Sequence, residues 1–216
     1  MVNKMTTFKK MSAIPTKKDF VDAVVALQKR ALKAPTFEVD IFIRWFYVNK
    51  VHSARKFFYH GITKVLDEFP SVGQTPPSGL RCSHLSLARN QLFDARQLIH
   101  RIDKCYAQLL KSNDCDSLDQ CKRLNAAALA LMFTVAVRCL PSLTYLDKLR
   151  QLMVDLEDGK ADATVVKYSI FLSREDCTVP KPYCFDALNV DHVVPLQTSL
   201  WIEELEREHG CPQPPQ

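Results

Sequence analysis

Glycine is scarce, five residues in 216, and none falls in a Gly-x-x-x-x-Gly-Lys-Ser/Thr run. A loop whose converging backbone N–H groups hold a phosphate is therefore absent. Long apolar runs are missing too. The most apolar window, Ala126 to Val137, spans 12 residues and contains Thr134, short of the roughly 18 that a membrane-spanning helix needs. It reads as a buried core helix, and no membrane association is expected. The eight cysteines form no Cys-x-x-Cys pair and have no matching histidine spacing, which argues against a zinc site; most are expected to be reduced and structural. No apolar leader opens the chain, so a secreted disulfide scaffold is not expected. The first 18 residues are basic and lack acids, as a mitochondrial transit peptide does, but they read as part of the folded domain. No metal and no cofactor are expected.

What is present is an ordinary globular composition, 47% apolar and 25% charged, long enough for one well-buried core and a smaller appendage. Charge is unevenly spread. Residues 1–64 carry 13 Lys and Arg against 4 Asp and Glu, residues 65–154 carry 11 against 8, and residues 155–216 carry 5 against 12. A basic front with an acidic end points to a polyanionic partner for the first, or to solvated basic surface alone.

Helical signals dominate the first 158 residues. Thr16 can cap a helix with Asp19 three residues on, and Phe20, Val24, Leu27 and Ala31 follow at helical spacing. A second run, Glu38 to Phe69, carries Ile43, Phe46, Tyr47, Ile62, Val65 and Leu66, with a possible bend at Val51 to Ser53. Pro70 to Gly79 is dense in proline, glycine and serine and reads as a loop. From Ser83 to Lys111 a stripe through Leu85, Leu92, Ala95, Ile99, Ile102, Tyr106 and Leu109 repeats every 3.6 residues. Ser117 caps the next helix, Pro141 starts a fifth, and Gly159 closes it. Thr164 to Leu172, rich in β-branched and aromatic residues, reads as a strand. The fold class is mainly α: an antiparallel four- to five-helix bundle over residues 1–158, then a short α/β remnant over residues 159–216.

Four ordered stretches resemble the N-terminal helical domain of the nucleolar GTP-binding protein family, Obg-related GTPases of large ribosomal subunit assembly. They are "FKKMSAIPTKKDFVDAVVALQKR" with "KAPT", "FIRWFYVNKV", "LDEFPSV", and "DSLDQCKRLNAAALALMFTVAVRCLPSLTYLDKLRQ" from Asp116 to Gln151. In that family the bundle leads into a GTPase domain whose first strand delivers a phosphate-binding loop. Here the strand-like "VVKYSIFL" is followed by "SREDCTVPKPYCF", with no glycine and no Gly-Lys-Ser. "PYCF" and "LNVDHV" resemble segments that lie beyond the loop in the family, so the loop itself is missing. No Asp-x-x-Gly or Asn-Lys-x-Asp guanine-reading motif occurs either. The resemblance thus implies a relative without GTP hydrolysis, whose residues 159–216 are a degenerate GTPase remnant. Asn125 and Ala126 stand where the family carries Lys and Arg, and Asn49 departs similarly, implying a weakened polyanion surface.

Candidate RNA-binding residues are Lys17, Lys18, Lys29, Arg30, Lys33, Arg44, Lys50, Arg55 and Lys56. Any one alone is equally explained by surface solubility. Trp45, Tyr47, Phe57, Phe58 and Tyr59 interleave with them, to stack on unpaired bases or to fill the core. Six histidines, at 52, 60, 84, 100, 192 and 209, lack a supporting motif. "SLWIEELEREHG", Ser199 to Gly210, sets Leu200, Trp201 and Leu205 on one side and acids on the other. That segment is a candidate for partner docking or for packing back on the remnant. The resemblance implies a non-catalytic factor that binds pre-ribosomal RNA and large-subunit assembly proteins in the nucleus and nucleolus, with no DNA expected. The alternative is a protein–protein interaction module that has lost the ribosomal role, and the alternative location is the cytoplasm.

Overall fold

Thr16 and Asp19 close the first helix on itself. The Thr16 backbone N–H donates to Asp19 Oδ2 at 2.7 Å, the Thr16 hydroxyl donates to the same oxygen at 2.7 Å, and the Asp19 N–H returns to Thr16 Oγ1 at 3.3 Å. Helix α1, Lys17–Leu32, grows from that reciprocal cap. The computed structural model describes residues 8–32, 41–69, 83–112, 115 and 117–160. The expected loop Pro70 to Gly79, the strand Thr164 to Leu172, most of the 159–216 remnant and the Ser199 to Gly210 segment lie outside the described residues.

The other helices are α2, Ile41–Glu68; α3, Ser83–Lys111; α4, Leu118–Arg138; and α5, Leu140–Glu157, preceded by one 3₁₀ turn at Phe8–Lys10. Among the described residues there is no strand, and no single helix is long and apolar enough to cross a membrane. Helix α2 is unbroken through Val51 to Ser53. Val51 and Ala54 continue its buried stripe, and the Ser53 hydroxyl donates to the Asn49 carbonyl at 2.7 Å, so the serine is satisfied within the turn.

Helix α2 is the hub. Phe20 of α1 meets Phe58 with ring centroids 5.9 Å apart, while Arg44 reaches Ser112 and Arg89 reaches Phe69 at opposite ends of the α2/α3 seam. Helix α3 therefore runs antiparallel to α2. Tyr47, Phe58, Ile62, Leu92, Ile99 and Met132 are among the fully buried side chains between the helices. Each large apolar side chain so buried contributes about 1.5–3 kcal/mol over its exposed state. In α3 the core stripe ends on Leu110, fully buried, rather than on Leu109, which is 44% exposed.

Helices α4 and α5 meet at a single junction residue. Cys139 ends one helix and begins the next, and the two axes differ by 45°. Pro141 occupies the first turn of α5, where no N–H partner is needed. The last two helices form an elbow, and α5 crosses back to α3 through a buried Ser142–Gln91 hydrogen bond. At its far end the chain turns at Gly159, φ 69°, a left-handed conformation suited to glycine. Glu157 accepts from the Phe8 N–H at 3.0 Å and Asp158 pairs with Lys9, so the end of α5 lies against the start of the described chain.

Candidate nucleic-acid interface

The basic candidates separate into three environments. Lys17, Lys18 and Lys29 of α1 are exposed and enter no ion pair with a described residue. Asp19 beside them is held below the ordinary aspartate range, first by its bond from the Thr16 backbone N–H and then by the Thr16 hydroxyl. Arg30 is in α1, its side chain outside the described part, and Lys33 lies outside the described residues.

Two arginines face α3 and are engaged there. Arg44 Nη1 donates to the Ser112 carbonyl at 3.1 Å, satisfying an acceptor just beyond the C-terminus of α3. Arg55 lies 3.3 Å from a carboxylate oxygen of Asp103, whose other oxygen is 2.6 Å from His52 Nδ1. Asp103 is only 4% exposed, so the Arg55 guanidinium and the hydrogen bond with His52 are what make a carboxylate tolerable there. Further along the seam, the Arg96 guanidinium sits 4.9 Å from the Phe93 ring centre and 5.7 Å from that of Tyr59, and Arg55 lies 5.6 Å from Tyr59. His100 meets the Tyr59 ring edge-on.

On the other flank of α2, Lys50 lies over Phe46 at 4.7 Å. Lys56 is exposed and shares a groove between α1 and α2 with His60 and Lys64. Of the interleaved aromatics, Tyr47 and Phe58 are fully buried, Tyr59 is half-buried, and Trp45 and Phe57 are 64% and 42% exposed. Ile41 and Phe42 add to an exposed apolar end of α2, at 72% and 81%.

Of the seven candidates whose side chains are described, Lys17, Lys18, Lys29 and Lys56 face solvent and enter no ion pair with a described residue, Arg44 and Arg55 are engaged with α3, and Lys50 lies over Phe46. Asn125 is 9% exposed within α4, so a change of charge at that position acts on the packed interior and not on an open binding face. Lys64 and Arg96 were not singled out by sequence reasoning. The four-residue spacing of Lys56, His60 and Lys64 carried a signal for the first; the Phe93–Arg96–Tyr59 stack joins two helices and carried none. Leu200, Trp201 and Leu205 lie outside the described residues.

A family model described as the NOG1 N-terminal helical domain matches residues 8–158. The chain is 36% identical over 161 residues to nucleolar GTP-binding protein 1 of Arabidopsis thaliana, covering 69% of this chain and 23% of that protein. It is 36% identical over 155 residues to probable nucleolar GTP-binding protein 1 of Dictyostelium discoideum, 67% of this chain and 22% of the relative. A third similarity, 39% over 106 residues, is to probable mediator of RNA polymerase II transcription subunit 26a of Arabidopsis thaliana, 43% of this chain and 18% of that one. The chain spans less than a quarter of the length of these curated relatives.

Proposed function

The chain belongs to the family of the NOG1 N-terminal helical domain, and on that premise we propose that it acts as a non-catalytic binding factor in large ribosomal subunit assembly in the nucleolus. Pre-ribosomal RNA and assembly proteins are its proposed partners. The observation that carries the RNA part is the set of exposed cations Lys17, Lys18 and Lys29 on α1, which enter no ion pair with a described residue. Phosphate contact is made by such side chains, because their charge is not already spent on a carboxylate. The engaged arginines Arg44 and Arg55 serve the fold first, and Lys50 stands on the Phe46 ring.

No Gly-x-x-x-x-Gly-Lys-Ser/Thr run follows α5 in the sequence, and "SIFLSREDCTVPKPYCF" holds no glycine. The relatives are named as GTP-binding, but the family match runs only through residue 158. The proposed role is accordingly one of binding, without hydrolysis. Fluorescence titration of single-stranded RNA at graded salt tests it. The affinity should fall linearly on a log–log plot with a slope of about −0.7 per phosphate contact, and the Lys17→Glu, Lys18→Glu, Lys29→Glu variant should flatten it by roughly two contacts or more. A slope near zero, or a variant that binds as tightly as the parent, contradicts the RNA role.

A second reading, a protein-interaction module, is favoured by the apolar start of α2. Ile41, Phe42 and Trp45 are exposed side by side on neighbouring turns, more apolar surface than a single scattered side chain. The similarity to a protein named for transcription rather than the nucleolus points the same way.

A further inference from the structure

The groove between α1 and α2 has a volume of about 730 Å³, in the range of roughly 300–1,000 Å³ that encloses several apolar groups. Ile14, Pro15, Phe20, Leu27 and Phe57 line it, and Lys56, His60 and Lys64 stand along its α2 edge. The two acids of the groove are already used. Glu68 accepts from the Ser12 N–H at 2.7 Å and from its hydroxyl at 2.9 Å, and Asp19 serves the α1 cap. No described carboxylate pairs with Lys56 or Lys64. An apolar trough with an uncompensated positive edge is complementary to a segment that is apolar on one side and acidic on the other.

We propose that the occupant is this chain's own segment Ser199 to Gly210, with Leu200, Trp201 and Leu205 in the trough and its glutamates toward Lys56, His60 and Lys64. Charge complementarity is the first argument: the segment carries Glu203, Glu204, Glu206 and Glu208 against a single Arg207. Position is the second. Glu157 and Asp158 are tied to Phe8 and Lys9, and the chain runs from there through Met11 to Pro15, which form one wall of the groove. Lys160, the last described residue, thus lies near one end of the groove, and a linker of residues 161–198, at up to about 3.3–3.6 Å each, does not limit the reach. Being intrachain, the contact operates at a high effective concentration and needs little intrinsic affinity. This docking does not depend on RNA binding.

The chain contains two tryptophans, Trp45 and Trp201, so Trp45→Phe leaves Trp201 as the sole reporter. In that background Trp201 should emit to the blue of its denatured value and resist acrylamide. Adding Lys56→Glu and Lys64→Glu should shift the emission red and raise quenching several-fold while far-UV circular dichroism stays constant. If the double reversal unfolds, Lys56→Gln with Lys64→Gln gives the same comparison. Emission at the denatured position in the parent overturns the proposal, as does a shielded Trp201 that ignores the groove variants. A blue shift that grows with protein concentration would assign the groove to a second copy and overturn the intrachain contact.

Discussion

Tyr47 shows how a single atom sets a cost in this fold. Its ring is fully buried, yet its hydroxyl finds no hydrogen-bond partner among the described residues. A buried unsatisfied polar group costs roughly 1–3 kcal/mol, so Tyr47→Phe should raise unfolding stability by about 1 kcal/mol in a urea titration. The thiol of Cys139, 1% exposed, is pushed up to about 12 by burial. Its folded pKa lies above the unfolded value near 8.5, so it favours the fold fully below that pH, and this contribution is lost as pH climbs toward 12. The expected outcome is a Cys139 that resists alkylation at neutral pH in the folded chain and reacts once the chain is unfolded. Asp19 has the opposite sign. Its depressed pKa supplies stability above the ordinary aspartate range, lost as pH falls through the folded value. Asp19→Asn should therefore lower the thermal midpoint at neutral pH and leave it little changed in strong acid.

At the scale of the element, Gly61 is a weak point in α2. A Cβ there meets nothing nearer than Pro15 Cγ at 3.8 Å, an ordinary contact, and glycine inside a helix costs roughly 0.5–1 kcal/mol relative to alanine. Gly61→Ala should stabilise the chain by about that amount, measured by denaturant midpoint. Helix starts and stops were readable beforehand because their signals are local: Thr16 with Asp19, Ser117, Pro141 and Gly159 each act within a few residues. What joins one helix to another was not. Arg44 reads as a surface cation until Ser112 is placed opposite it, 68 positions away, and Arg55 until Asp103 lies beneath it. The α4–α5 elbow was also hidden, since an amphipathic pattern on each side of Pro141 fits a hairpin and a bend equally. Leu109 and Leu110 are adjacent in a run where the stripe drifts, and only packing shows which one faces inward.

For the molecule as a whole, the bundle over residues 8–158 agrees with the family resemblance seen in the four ordered stretches. The binding surface was only partly apparent, because charge composition locates a basic region without saying which cations are already paired. Guanine nucleotide with Mg²⁺ should leave the melting temperature unchanged, since a ligand raises it only by binding the folded state; a nucleotide-dependent rise would reveal a nucleotide site that the lack of a glycine-rich phosphate loop does not predict. The most direct test is sedimentation of the tagged chain through sucrose gradients of cell extract at low and high salt, with the bound RNA sequenced. Migration with large-subunit precursors at low salt, reduced by high salt and by the Lys17→Glu, Lys18→Glu, Lys29→Glu variant, is the predicted result. A chain that stays at the top of the gradient at both salts, bound to no RNA, would contradict the assembly role and favour the protein-interaction module.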